Sequence, residues 1–141
     1  MERKVLVPVN ESEACARTIA GIIGRRDRFP GPLTLLHVVD IDKLAYRMIP
    51  DFQLEMIRER ALKAGEQVVA KWCRSLEAGG ISTLPRIETG SPRNDICRIA
   101  NDEAFDLLII GRRGMGEIRD VLFGSVANHV LHQVRCPVLL F

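Results

Sequence analysis

The residues best suited to chemistry form a glycine-rich segment late in the chain. Gly111, Gly114 and Gly116 directly follow an apolar run, and Gly124-Ser125 precedes a helical pattern. Glycine lets a backbone approach a ligand closely and adopt positive φ. The first N–H groups of a helix are unpaired and lie at the positive end of its dipole. The segment therefore predicts a phosphate site that is built mainly from main-chain N–H donors.

Two common phosphate-binding motifs do not fit this segment. The pattern GxxxxGK[ST] would align Gly111 with Gly116, but Glu117 stands where the phosphate-binding lysine is required. The pattern GxGxxG is absent, and no acidic residue occupies positions 130–133, where the dinucleotide motif expects one. The sequence therefore argues against a Walker A nucleoside triphosphatase and against a nicotinamide dinucleotide site.

Alternating apolar strands and amphipathic helices must position the glycine segment. Short apolar and β-branched runs predict strands at 4–9, 33–39, 82–88, 106–110 and 137–141. Helical spacing, with caps and glycine stops, predicts helices at 11–23, 51–78, 92–100 and 125–134. Pro85 cannot donate to a strand ladder, so the third strand is expected at an edge of the sheet.

This alternation predicts one α/β domain over residues 1–141. Apolar strands that alternate with helices form a parallel sheet that is covered on both faces, which gives a three-layer α/β/α architecture. Ligands of such sheets bind beyond the carboxyl ends of the strands, at the point where the strand order reverses. The segments to consider are therefore 9–11, 38–40, 89–90 and the residues from Gly111 onward.

Composition excludes several classes of protein. The chain has 141 residues, 20 Lys and Arg against 18 Asp and Glu, and only 5% aromatic residues. This balance argues against a nucleic-acid partner, which requires a basic surface or stacking aromatics. No apolar run approaches the about 20 residues of a membrane helix, and 5–9 is too short for the core of a signal peptide. We therefore expect a cytoplasmic protein with no membrane partner.

The spacing Gly111-x2-Gly114-x9-Gly124-Ser125 resembles the nucleotide-binding signature of the universal stress protein family. Four other segments resemble that family in the same order, at 5–9, 36–39, 106–111 and 136–140. The resemblance covers essentially the whole chain. It implies a five-stranded parallel sheet of order 3-2-1-4-5, of the adenine nucleotide alpha hydrolase-like type, with ATP across the carboxyl ends of strands 1 and 4.

The resemblance also implies which residues contact ATP. The residues that it assigns to the nucleoside are Pro8, Val9, Asn10, Val38 and Val39. The residues that it assigns to the ribose and phosphates are Gly111, Gly114, Gly124, Ser125 and Val126. Mg²⁺ or Mn²⁺ is expected only as an ion carried by the nucleotide.

Asn10 departs from the family pattern, because ATP-binding members usually have Asp after the first strand. Asn keeps a hydrogen-bonding head but lacks the negative charge, so it can accept from a ribose hydroxyl or donate to a ring nitrogen. Arg112 stands where the family usually has a small polar residue. Arg112 and Arg113 either reach the phosphates or form a solvated face.

The remaining reactive residues suggest no dedicated catalytic or metal centre. No Ser–His–Asp arrangement can be placed by spacing, so the chain is expected to be at most a slow ATP hydrolase. His129 and His132 lack a nearby third ligand, and His37 is interpreted as a satisfied core histidine. Met48, Met56 and Trp72 are interpreted as core residues. The scattered cysteines are expected to be buried small apolar residues.

Three functions remain open at this stage. The first is an ATP-binding regulatory module of the stress response, and the second is a slow ATP hydrolase. The third is an interaction dimer whose nucleotide site is empty, which the Asn10 departure keeps open. In all three, the apolar final strand with Val138, Leu139 and Leu140 predicts a two-fold homodimer, as the family resemblance also implies.

Overall fold

Apolar runs of the chain form parallel strands, and the amphipathic segments between them form helices. The computed structural model describes residues 3–40, 51–111 and 125–141. Its strands are β1 (Val5–Pro8), β2 (Leu33–Asp40), β3 (Thr83–Gly90), β4 (Leu107–Ile110) and β5 (Val138–Leu140). Its helices are α1 (Glu13–Ile23), α2 (Asp51–Ala78), α3 (Pro92–Asp102) and α4 (Ser125–Gln133), with a 3₁₀ turn at Arg26–Arg28.

The strands lie in the order β3-β2-β1-β4-β5, and all neighbouring pairs are parallel. This confirms the predicted three-layer α/β/α fold and its 3-2-1-4-5 sheet. The strand that contains Pro85 pairs only with β2, so its predicted edge position is also confirmed. β1 is central and is flanked by β2 and β4.

The core occupies both faces of the sheet because successive side chains of a strand alternate between its faces. Leu35 and Ile109 are fully buried against apolar residues of α1 and α2. Leu36 and Leu108, their chain neighbours, are fully buried against α3 and α4. A sheet that is buried on both faces explains why its strands are nearly continuous apolar runs.

The longest helix has the bounds that the sequence predicts, 51–78. It ends at Gly79-Gly80, where Gly80 has φ 89° and the Ile81 N–H donates to the Leu76 carbonyl at 2.9 Å. A left-handed residue at this point is the usual way to pair the last carbonyls of a helix. The first turns of α2 differ from expectation, because Phe52 and Met56 are 68% and 51% exposed. Met56 is therefore not a core residue, whereas Trp72 is buried.

Edge strand β3 is tied to the end of α3 by one guanidinium. Arg86 donates to both carboxylate oxygens of Glu103, each at 2.6 Å, and also to Glu88 Oε1 at 3.0 Å. These bonds lower the pKa of Glu103 and raise that of Arg86. Ser91 precedes α3 with a residue type that often caps helices, but its side chain makes no capping bond. Asp95 Oδ2 instead accepts from the Ser91 N–H at 3.0 Å.

Among the described residues, no helix combines the length and the apolar character that crossing a membrane would require.

Candidate functional site

A cleft opens at the carboxyl ends of the central strands because β1 leaves its two neighbours at different points. Its ladder with β4 ends at Leu6 and Leu108, whereas its ladder with β2 continues to Pro8 and Leu36. The alternation of backbone directions turns the Pro8 nitrogen toward β4, and proline has no N–H to donate there. The strand order reverses between β1 and β4, so this gap is the predicted switch point of the sheet.

The cleft encloses about 1030 Å³, which is ample for a nucleotide-sized ligand. Its described lining includes the carboxylates of Glu11, Glu13 and Asp40 and the imidazole of His37. Lysine and arginine are absent from that described lining. Near the ends of β1 and β2 the wall includes carboxylates, of which Glu11 is paired with Lys71 at 3.3 Å, whereas the opposite wall includes the N-terminal turns of α4.

β2 extends past the end of β1, and this exposes a backbone edge to the cleft. The Val9 N–H donates to the Leu36 carbonyl at 2.8 Å, which is the last step of the β1–β2 pairing. The N–H and C=O of one residue in a parallel strand point to the same side, and the side alternates along the chain. The main-chain groups of Val38 therefore point the same way as those of Leu36, into the space beyond Pro8. They present one donor and one acceptor to the cleft.

The chain after β1 is held away from this edge by two side chains. The His37 ring donates from Nδ1 to the Val9 carbonyl at 2.8 Å, and Trp72 donates from Nε1 to the Asn10 carbonyl at 3.0 Å. A carbonyl can only accept, so the hydrogen of the imidazole is assigned to Nδ1. Gly65 of α2 leaves room for the ring, since a Cβ there would lie 2.8 Å from His37 Cδ2. His37 is thus hydrogen-bonded as expected, but it lies half-buried in the cleft wall and not in the core.

The Asn10 side chain is oriented by the residue that caps α1. The Ser12 hydroxyl donates to Asn10 Oδ1 at 2.5 Å. Ser12 Oγ also accepts from the Cys15 N–H at 3.1 Å, which caps α1. The amide oxygen of Asn10 is therefore engaged, and its two N–H donors remain for a ligand. Of the two roles that the sequence leaves open for Asn10, this geometry favours donation.

Gly111 is explained by packing against α1. A Cβ at this position would lie 2.4 Å from Thr18 Oγ1 and 3.0 Å from the Ala14 carbonyl oxygen. Thr18 is 2% exposed, and its hydroxyl donates to that carbonyl at 2.9 Å. The expectation that glycine here supplies a positive φ is wrong, because Gly111 is not among the described residues with positive φ. Close packing against the Thr18 hydroxyl and the Ala14 carbonyl of α1 is what requires glycine.

The structure brings seven of the predicted nucleotide-contacting residues to this one cleft. They are Pro8, Val9, Asn10, Val38, Val39, Gly111 and Val126. The predictions for Arg112, Arg113, Gly114 and Gly124 lie outside the described residues, as does the side chain of Ser125. The backbone of Ser125 begins α4, and the buried residues Ala127 and Val130 of that helix line the cleft.

The cysteines and the other histidines add no second centre to the described residues. Burial raises the pKa of each of the four thiols, so none is activated as a nucleophile. His129 Nδ1 lies 3.3 Å from Arg93 Nη2, in keeping with a surface role. Within 3–40, 51–111 and 125–141, no three His, Cys, Asp or Glu side chains cluster as metal ligands.

Three functional candidates were not apparent from the sequence pattern. His37, Trp72 and Ser12 act on the backbone or the amide of cleft residues, and two of them are distant in sequence from their partners. The one available signal is that polar His37 interrupts an otherwise apolar buried strand.

Comparison with known proteins gives relatives that match two thirds of the chain or more. A universal stress protein of Methanocaldococcus jannaschii is 25% identical over 138 residues, which cover 98% of this chain and 81% of that protein. A universal stress protein of Thermus aquaticus is 33% identical over 100 residues, which cover 68% of this chain and 72% of that protein.

Solved structures share the fold. A second protein of Methanocaldococcus jannaschii superimposes with a TM-score of 0.82 at 24% identity, covering 99% of this chain and 95% of that one. A universal stress protein family member of Arabidopsis thaliana, solved with AMP bound, has a TM-score of 0.72 at 21% identity and covers 99% and 90%. The universal stress protein of Archaeoglobus fulgidus, solved in complex with dAMP, has a TM-score of 0.68 at 16% identity and covers 98% and 96%.

At these identities the structural likeness shows the fold alone, whereas the sequence comparison also shows the family. The model of the universal stress protein family matches residues 1–141. The chain therefore belongs to the universal stress protein family.

Proposed function

We propose that this protein binds an adenine nucleotide, with ATP as the expected ligand, and acts as a nucleotide-dependent regulatory module of the stress response. The observation that carries the proposal is the donor–acceptor edge of Val38, which has no partner on β1 within the described part of the chain and faces a cleft that also includes the start of α4. The AMP and dAMP of two structural neighbours support the same ligand class.

The Val38 edge suits adenine. The base offers an N6 amine, which donates, beside the N1 ring nitrogen, which accepts. The Val38 carbonyl can accept from the amine while the Val38 N–H donates to the ring nitrogen. Val38 and Val39 are both largely buried, which keeps water from competing for these bonds.

The charges of the cleft orient the rest of the nucleotide. Carboxylates of Glu11, Glu13 and Asp40 line the wall near β1 and β2, and Lys71 is paired with Glu11 at 3.3 Å, so this wall attracts phosphate less than the start of α4 does. The unpaired N–H groups at the start of α4 attract phosphate. In this orientation Asn10 faces the nucleoside and donates from its amide, and any Mg²⁺ or Mn²⁺ arrives with the phosphates.

Co-purified ligand and direct titration test this function. Purified protein is denatured and its supernatant is analysed by mass spectrometry, and nucleotide-stripped protein is titrated calorimetrically with ATP, ADP and AMP. We expect bound adenine nucleotide and saturable heat. Inorganic triphosphate and adenosine serve as matched partial ligands and are expected to bind more weakly than ATP. Absence of both nucleotide and heat at millimolar ATP would overturn the proposal.

We also propose that two copies pair through β5. Val138, Leu139 and Leu140 are half-buried, and β5 is hydrogen-bonded only to β4, so one side of its backbone is unpaired in the described sheet. The Leu108 N–H donates to the Pro137 carbonyl, and the Phe141 N–H donates to the Ile110 carbonyl. By alternation, the main-chain groups of Val138 and Leu140 point outward.

This alternation gives a matched pair of variants for the dimer. Leu140→Pro removes an outward N–H without removing a bond to β4, and Leu140→Ala shortens the same side chain but keeps the N–H. Sedimentation is expected to show dimers for the wild type and for Leu140→Ala, and mostly monomers for Leu140→Pro. A monomeric wild type would refute pairing through this strand.

A further inference from the structure

We propose that His37 is a positioning residue that keeps the Val38 edge open for the base, a role that rests on the proposed nucleotide binding. The ring captures the one carbonyl with which the Val38 N–H would otherwise pair. The His37 side chain thereby ends the β1–β2 ladder before Val38, where the base would bond the Val38 main-chain groups.

The register shows which bond is missing. The Val9 N–H bonds the Leu36 carbonyl, so the next step of a parallel ladder would join the Val38 N–H to the Val9 carbonyl. That carbonyl instead accepts from His37 Nδ1 at 2.8 Å. The following carbonyl, of Asn10, accepts from Trp72 Nε1 at 3.0 Å. The carbonyls of Val9 and Asn10 thus both accept from side chains and not from the backbone of β2.

The ring is held in the orientation that this bond needs. Gly65 brings α2 against the imidazole, because a Cβ there would lie 2.8 Å from His37 Cδ2 and 3.5 Å from Nε2. The same Cβ would lie 3.4 Å from Val39 Cγ2, so the helix packs closely along this part of β2. The bond to Val9 requires a hydrogen on Nδ1, which leaves Nε2 on the side of the ring that faces Gly65.

The consequence is selectivity between purine bases. Adenine offers a donor at N6 and an acceptor at N1, which match the Val38 carbonyl and N–H. Hypoxanthine has an acceptor oxygen at position 6 and a donor N–H at N1. It would place an acceptor against the Val38 carbonyl and a donor against the Val38 N–H. Unpaired polar groups in such a site discriminate strongly. We expect AMP to bind at least about tenfold more tightly than IMP.

Two variants separate this role from ordinary packing. In His37→Phe the ring keeps its bulk but loses the donor, so the Val9 carbonyl is free to pair with the Val38 N–H. In His37→Asn the amide nitrogen replaces Nδ1 and can still donate to Val9. The AMP-to-IMP affinity ratio is expected to fall by more than about threefold in His37→Phe, where only the Val38 carbonyl still discriminates, and to be kept, within about threefold, in His37→Asn. A purely structural role for His37 would weaken both nucleotides together and leave their ratio unchanged, which would refute the inference.

Amide hydrogen exchange of the wild type gives a test that needs no variant. The Val38 N–H should exchange rapidly in the ligand-free protein and become protected on addition of AMP but not of IMP. Protection of this amide without ligand would overturn the inference even if AMP binds. Failure of both nucleotides to bind would overturn the proposed function, so the two failures are distinct.

Discussion

Gly111→Ala tests whether the first glycine of the cleft loop is required by packing. The new Cβ would lie 2.4 Å from Thr18 Oγ1, about 1 Å inside ordinary van der Waals contact, and Thr18 is held by its bond to Ala14. Overpacking of this kind costs about 1–3 kcal/mol. Loss of glycine freedom in the unfolded chain returns about 0.4–1 kcal/mol. We therefore expect Gly111→Ala to lower the free energy of unfolding by about 1–2 kcal/mol.

A double-mutant cycle with Thr18→Ala locates that cost. Removal of the threonine hydroxyl leaves only the 3.0 Å approach to the Ala14 carbonyl, so Gly111→Ala should cost under about 0.5 kcal/mol in this background. Urea denaturation of the four proteins measures the coupling, which we expect to be about 1 kcal/mol. Gly24→Ala is the matched control, since its Cβ would have no neighbour closer than 3.5 Å, and it should raise the free energy of unfolding by about 0.4–1 kcal/mol. Equal costs of Gly111→Ala in both backgrounds would refute the packing explanation.

Two further predictions concern the edge strand and the cleft wall. Arg86→Met should destabilise the protein by about 1 kcal/mol at neutral pH because a partly exposed bidentate pair contributes modestly. The Arg86 guanidinium lowers the folded-state pKa of Glu103, so this contribution is present above the unfolded pKa of about 4.3 and is lost as pH falls through the folded value. Urea denaturation across that pH range measures the difference in unfolding free energy between the wild type and Arg86→Met. Removal of the more exposed pair between Arg98 and Asp95 is the control. A difference that persists unchanged in acid contradicts the prediction. Gly65→Ala should displace the His37 ring by about 0.6 Å to relieve a 2.8 Å contact. Expressed as free energies, the loss in the AMP-to-IMP affinity ratio should exceed the loss in the free energy of unfolding. An unchanged ratio would show that the ring is not held from this side.

The sheet was predictable because its information is local. The strands and the layers follow from apolar alternation, and the edge position of β3 follows from a single proline, whereas the strand order was implied by the family resemblance alone. The bounds of α2 are predictable because Asp51 can begin a helix and the pair Gly79-Gly80 ends one. These features depend on residues that are close in sequence.

The mechanism of the cleft was less predictable because it depends on contacts between distant residues. His37 and Val9 lie 28 positions apart, and Trp72 and Asn10 lie 62 apart. Which ring nitrogen donates, and to which carbonyl, is decided by register and by the space that Gly65 leaves. Met56 was assigned to the core on residue type, but tertiary packing leaves the first turns of α2 exposed.

The bond between Trp72 and Asn10 has a practical consequence. The chain contains one tryptophan, and its indole donates to the backbone of a cleft residue while the Lys71 ammonium lies 4.5 Å from its ring centroid. The emission of an indole responds to nearby charge and to the geometry of its hydrogen bond. The protein thus carries a label-free fluorescent reporter that is linked to the cleft through Asn10, and we expect its emission wavelength or intensity to change when the cleft is occupied.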